Sequence, residues 1–163
     1  MLTNRPVQEA DLPTICQFPQ SELELFFMFP KASYPLTVEQ LQGSIARRTD
    51  STVVLMDGRV VGFANFHVCE PGEKCAIGNV IVAPDVRGQG VGQYLIETMV
   101  QIALTKYQAK EVQISCFNQN VPGLLLYQKL GFRPFEIEDR IDKQGNRVAS
   151  IHMKYTKAKV IDS

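Results

Sequence analysis

The sequence predicts an α+β fold, a mixed, mostly antiparallel sheet of six to seven strands flanked by about four helices in three α/β/α layers. Three observations carry this. Asp57-Gly58 and Pro71-Gly72 punctuate three β-rich runs into an antiparallel meander, and the Asp-Gly pair suits a turn that needs positive φ. A long helical pattern follows a glycine-rich turn, with Val91, Leu95, Met99 and Ile102 along one face. Two further β-runs close the chain around Gly145-Asn146. Strands that come both in runs and alternating with helices predict a mixed sheet covered on both faces.

In chain order, a short strand is expected at Thr3–Val7 and a helical turn near Asp11–Cys16. Thr37-Val38-Glu39-Gln40 has the form of a capping box, Thr37 being the N-cap. The helix it starts should reach Arg48 and bury Val38, Leu41 and Ile45. Strands follow at Thr52–Met56, Arg59–Cys69 and Lys74–Val82. The long helix covers Gly90–Gln108, a strand Val112–Phe117, and a shorter helix Pro122–Leu130, stopped by Gly131. Phe132–Ile141 and Arg147–Tyr155 form the last hairpin. No linker or repeat divides the chain, so one domain over 1–156 with a tail over 157–163 is expected.

Of 163 residues, 45% are hydrophobic and 21% charged, which excludes wholesale disorder. Lys plus Arg and Asp plus Glu both number 17, a net charge of zero that argues against duplex nucleic acid as a partner. The four cysteines lack C-x-x-C spacing and there are two histidines, so no metal is expected. Cys69 and Cys75 are read as reduced thiols facing each other across a hairpin. The opening residues lack the apolar stretch of a signal peptide. The longest apolar run, Leu25–Phe29, is too short to span a bilayer. The expectation is a soluble, cytoplasmic protein with no membrane partner.

The most informative segment is Val80-Ile81-Val82-Ala83-Pro84-Asp85-Val86-Arg87-Gly88-Gln89-Gly90-Val91-Gly92. Three glycines in five positions at a helix entrance leave backbone N–H groups uncovered where the helix dipole is positive, a cradle for phosphate with Arg87 at its rim. The P-loop pattern is absent, and the dinucleotide pattern fails because Gln93 stands where its third glycine should be. A glycine turn that merely lets helix and sheet pack closely is the plainer reading of glycines alone. The pattern present is Arg-x-x-Gly-x-Gly.

That segment resembles the acyl-CoA-binding signature of the GNAT family of N-acetyltransferases. A second segment agrees: Asn118-Gln119-Asn120-Val121-Pro122-Gly123-Leu124-Leu125-Leu126-Tyr127-Gln128-Lys129-Leu130-Gly131-Phe132 is similar to the family's later motif, in which an Asn precedes a Tyr by seven residues and Lys-Leu-Gly-Phe follows. The order of elements matches as well, closest to small bacterial members. Gly123 stands where the family commonly has alanine, a small-for-small change expected to threaten nothing.

The resemblance implies acetyl-CoA as co-substrate and acetyl transfer by direct attack of a primary amine, of a small molecule or a peptide lysine. Backbone groups of Val80, Ile81 and Val82 would bond the pantetheine, one of them polarising the thioester carbonyl. The N–H groups of Arg87, Gly88, Gln89, Gly90, Val91 and Gly92 would hold the pyrophosphate, and Asn120 would touch the cofactor. Tyr127 would protonate the leaving thiolate, because a phenol stays protonated at neutral pH; its plainer reading is packing beside Leu124 and Leu130. Many relatives carry a glutamate where Asn79 stands. Asn cannot be a base, so it is expected to orient the amine or a water, and the amine proton passes to His67, Glu70, Glu73 or a water chain. Phe27 and Tyr34, within the aromatic segment Glu24–Pro35, are expected in the acceptor pocket. Zero net charge and an aromatic wall favour an acceptor with an apolar part over a polycation. Dimers are common in the family, so a homodimer stays open. A non-catalytic acyl-CoA-binding or sensor domain is the alternative.

Overall fold

Asp57 and Gly58 take φ of 51° and 86°, so a two-residue loop closes the first hairpin with Met56 opposite Arg59. The strands it joins are β2 (Thr49–Met56) and β3 (Arg59–Glu70); β1 (Leu2–Pro6) pairs antiparallel with β2, and β4 (Lys74–Val82) antiparallel with β3. The remaining strands are β5 (Glu111–Phe117), β6 (Arg133–Ile141) and β7 (Arg147–Thr156). The sheet order is β1-β2-β3-β4-β5-β7-β6, and only β4–β5 is parallel. This computed structural model describes residues 1–156; the tail expected at 157–163 lies outside the described residues.

Among the described residues five α-helices cover the sheet, one more than expected: α1 (Leu12–Cys16), α2 (Glu22–Met28), α3 (Val38–Arg47), α4 (Val91–Lys106) and α5 (Val121–Lys129). Thr37 Oγ1 accepts from Gln40 N at 3.3 Å, the predicted cap of α3. The additional helix is α2, which overlaps the start of the aromatic segment Glu24–Pro35. Its start was legible: Ser21 lies three residues before Glu24, and Ser21 Oγ accepts from Glu24 N at 3.1 Å. Phe63, Phe66, Leu95, Ile96, Met99 and Phe132 are among the fully buried side chains of the main core. Phe26, Phe117 and Val148 form a smaller cluster against which Phe27 packs. Cys69 and Cys75 face each other with sulfurs 3.4 Å apart, as free thiols, and burial pushes the Cys75 thiol up to about 12. Among the described residues no helix is long and apolar enough to cross a membrane.

Candidate active site

The site begins with a defect in the sheet. Phe63 pairs with Ile81 and Asn65 with Gly78, so Asn79 and Val80 together oppose Ala64 in a bulge. Asn79 takes φ of 52°, a conformation asparagine tolerates far better than most residues. A bulge bends its strand, and the parallel pairing of β4 with β5 ends at Ile77–Ile114. From Gly78 to Val82 the β5-facing edge of β4 has no strand partner.

A cavity of about 420 Å³ opens there, lined by Val80 and Asn79 from β4, Ser115 and Cys116 from β5, and Asn120 and Tyr127 from the α5 region. Ile81 and Val82 continue the β4 edge but pair with Phe63 and Gly62 and do not line the cavity. Beyond Val82 comes the glycine turn. Gly90, at φ of 88°, is the N-cap of α4 and offers no capping side chain. Tyr94 N bonds Gly90 O at 3.1 Å, so the amides just before it lead out of the helix without an acceptor in its first turn. A Cβ placed at Gly88 or Gly90 would meet nothing within 4 Å, leaving this backbone open to a ligand.

Arg87 is less free than its sequence position implies. Its Nη2 lies 2.8 Å from Glu24 Oε1 and also donates to Phe18 O, while Nε donates to Val82 O. The guanidinium holds Glu24 below the usual carboxylate range. The rim charge is thus offset by α2, and what the turn presents openly is its backbone, from Arg87 through Gly88, Gln89, Gly90 and Val91 to Gly92.

Tyr127 is 6% exposed, its ring edge-on to Phe132 at 6.2 Å. Its hydroxyl has no hydrogen-bond partner among the described residues, yet it is not a sealed, unsatisfied atom; it opens on the cavity. Burial, then the nearby Cys116 thiol, raises its pKa, so the phenol keeps its proton at any physiological pH. Asn120 caps α5 by accepting from Gly123 N at 3.2 Å.

Asn79 is 3% exposed and bonded on three sides. Its Oδ1 accepts from Ser44 Oγ at 2.5 Å and Asn65 Nδ2 at 3.0 Å, and its Nδ2 donates to Met28 O at 3.1 Å. The side chain clamps α2 and α3 onto the bulge. Phe27 lines the cavity as expected, but Tyr34 does not: it is 46% exposed in the connection between α2 and α3. The start of that connection, at Phe29, Pro30 and Lys31, lines the cavity, and Tyr34 lies farther along it outside the lining, which corrects the expectation for Tyr34. Glu70 and Glu73, at the β3–β4 turn, do not line it either, whereas His67 does.

Sequence reasoning missed the opposite wall. Ser115 Oγ lies 2.6 Å from His152 Nδ1, and His152 Nε2 lies 2.9 Å from Glu138 Oε1. With Nε2–H donating to the carboxylate, Nδ1 accepts from the serine hydroxyl. Arg140 first, and His152 second, hold Glu138 below the usual carboxylate range. Burial, then Arg48 and His152, lower the pKa of His67. Lys31, Arg47, Arg48 and Arg140 also line the cavity, and among the described residues no Asp or Glu does.

The model of the acetyltransferase (GNAT) family matches residues 15–132, most of the chain. The chain belongs to this family. Spermine/spermidine N(1)-acetyltransferase of Bacillus subtilis is 26% identical over 98 residues, which cover 56% of this chain. The chain spans about 62% of the length of the curated relatives it matches. A GCN5-related N-acetyltransferase from Kribbella flavida superposes with a TM-score of 0.76 at 26% identity, covering 96% of this chain and 98% of that one. A Salmonella typhimurium protein solved with its cofactor acetyl-CoA superposes at TM-score 0.77 and 18% identity, over 99% and 98% of the two chains. These likenesses agree with the three-layer GNAT fold.

Proposed function

We propose that this GNAT chain is, as one domain over 1–156, a cytoplasmic acetyl-CoA-dependent N-acetyltransferase that acetylates a primary amine by direct attack. The observation that carries the reading is the unpaired β4 edge from Gly78 to Val82, running from the Tyr127 hydroxyl's cavity to the bare backbone of the glycine turn. An extended chain of amides such as pantetheine can hydrogen-bond a strand edge, and a diphosphate suits amides at a helix N-terminus. The residues present therefore fit acetyl-CoA, which supplies the activated acetyl group.

This chain's own groups then handle two protons. A lysine-like amine must lose one before it attacks, an uphill step of about 4.6 kcal/mol at pH 7. Asn79 cannot accept it. The His152 imidazole can, through Ser115, because Glu138 stabilises the imidazolium that forms. His67 is the weaker candidate, since Arg48 and His152 both oppose its charging. The second proton goes from the Tyr127 hydroxyl to the departing thiolate. The alternative of a non-catalytic sensor drew its support from the missing carboxylate at position 79, and His152 weakens that support.

The test is acetyl-CoA binding by calorimetry and thiol release with a panel of amines, for the native protein, Tyr127→Phe and His152→Gln. Native turnover is expected. Tyr127→Phe should bind acetyl-CoA normally and lose about 10²-fold or more in kcat. His152→Gln should lose rate most at neutral pH and recover toward alkaline pH, where the amine sheds its own proton. Absence of acetyl-CoA binding would overturn the reading, and binding without turnover would favour the sensor.

A further inference from the structure

We infer that the acceptor is a small primary amine that carries an anionic oxyacid group, carboxylate or phosphonate, a few bonds from its nitrogen, and that polyamines are rejected. The inference rests on the acetyltransferase reading and names the substrate class of that site.

The cavity wall carries the argument. Lys31, Arg47, Arg48 and Arg140 line it with no acidic residue among the described ones, in a chain whose net charge is zero. Arg140 has Glu138 at 3.0 Å, but Lys31, Arg47 and Arg48 have no carboxylate within 4.0 Å among the described residues. Among the described residues, three cations therefore face the cavity without a carboxylate partner.

Arg48 is the most constrained of the three. Its Nη1 donates to Asn65 Oδ1 at 3.2 Å, a neutral acceptor that fixes the guanidinium without cancelling its charge. Asn65 is itself fully buried and bonded to Asn79. A Cβ at Gly78 would stand 2.5 Å from Arg48 Nη1 and 3.1 Å from His67 Nδ1. Glycine there lets the guanidinium lie against β4 at the residue where the unpaired edge begins. Burial and the neighbouring Arg47 lower the Arg48 pKa, the direction expected of packed cations that lack a counter-ion.

The glycine turn, where the diphosphate is placed, contributes no residue to this wall, so the basic residues serve another ligand. Because Arg48 sits beside the start of the open edge, the anion must lie close to the reacting nitrogen, as in an amino acid or aminophosphonate. Planar guanidinium recognises such oxyacids in a bidentate manner. The same positive wall repels a polyamine and disfavours the ammonium form of the bound amine, which eases the deprotonation that precedes attack.

The experiment measures kcat/KM, with saturating acetyl-CoA, for aliphatic and aromatic amino acids, their amides, 2-aminoethylphosphonate, ethanolamine and spermine. The acids are expected to exceed their neutral counterparts at least tenfold, with spermine below both. Arg48→Gln should collapse that preference by raising KM for the acids at least tenfold more than for the amides, a split that misfolding cannot produce. Arg47→Gln, at an exposed side chain, should weaken the preference in the same sense. Equal or faster turnover of amides or spermine by the native protein overturns the inference and leaves the acetyltransferase reading standing. Turnover of no amine at all overturns both.

Discussion

Gly123→Ala is a sharp test of the local packing at the site, because two effects of opposite sign compete there. Gly123 lies in the first turn of α5, and alanine in a helix is favoured over glycine by roughly 0.5–1 kcal/mol. Against this, a Cβ at 123 would sit 2.7 Å from Asn120 Nδ2, 3.0 Å from its Cγ and 3.1 Å from Cys116 Sγ. The Asn120 side chain is short and engaged as the N-cap, accepting from Gly123 N. Making room means giving up that cap, which costs about 1 kcal/mol, and crowding a buried thiol, which adds about 1–3 kcal/mol. The unfavourable side wins by about 1–3.5 kcal/mol, which lowers the melting temperature by roughly 2–14 °C for a domain of this size. Gly43→Ala in α3 is the internal control. There the Cβ meets only the Arg47 guanidinium, at 3.7 Å, so helix propensity alone should raise the melting temperature. Thermal unfolding followed by circular dichroism reads both variants. A Gly123→Ala protein as stable as native, alongside a stabilised Gly43→Ala, would refute the reasoning and restore the reading of a harmless small-for-small exchange.

Asn79→Asp should destabilise despite its small change in shape. It sets a carboxylate oxygen against Met28 O where an amide now donates, a buried mismatch costing about 1–3 kcal/mol, measurable by urea unfolding. Arg5 holds the buried Asp11 carboxylate below its usual range, through hydrogen bonds with backbone help from Gln8. A depressed carboxylate pKa stabilises the fold above the unfolded value near 3.9 and loses that contribution as pH falls through the folded value. Asp11→Asn should therefore be less stable than native at neutral pH, and the difference should shrink below about pH 4. Equal stability of the two proteins at pH 7 would refute this.

Much of the fold was legible because turns and caps are local. Asp57-Gly58, Thr37 and Gly90 each announce an element boundary within a few residues, and β4 begins and ends where its pattern placed it. The bare glycine turn at the mouth of α4 was legible for the same reason. The opposite wall was not, because it depends on sheet register. Ser115 meets His152 only once β7 lies between β5 and β6, and no local signal marks that pairing. The sequence casts Asn79 as orienting an amine or a water; its clamping bonds are invisible there because the partners stand 35 and 14 residues away, at Ser44 and Asn65. In the sequence Arg48 marks only where the capped helix should end, and Arg47 carries no signal of its own. Only the bulge at Asn79 and the bare surface of Gly78 bring Arg48 over the cavity.

The four-rung seam between β4 and β5 divides the sheet into two leaves, β1–β4 on one side and β5–β7 on the other. A ligand lying in the notch beyond that seam would serve as a replaceable eighth strand, stitching the leaves where the polypeptide leaves them apart. Its arrival should register as mechanical stiffening across the whole molecule: slower amide-hydrogen exchange along β5 and β7, reaching beyond the residues that line the cavity, and a stability that tracks cellular co-substrate supply.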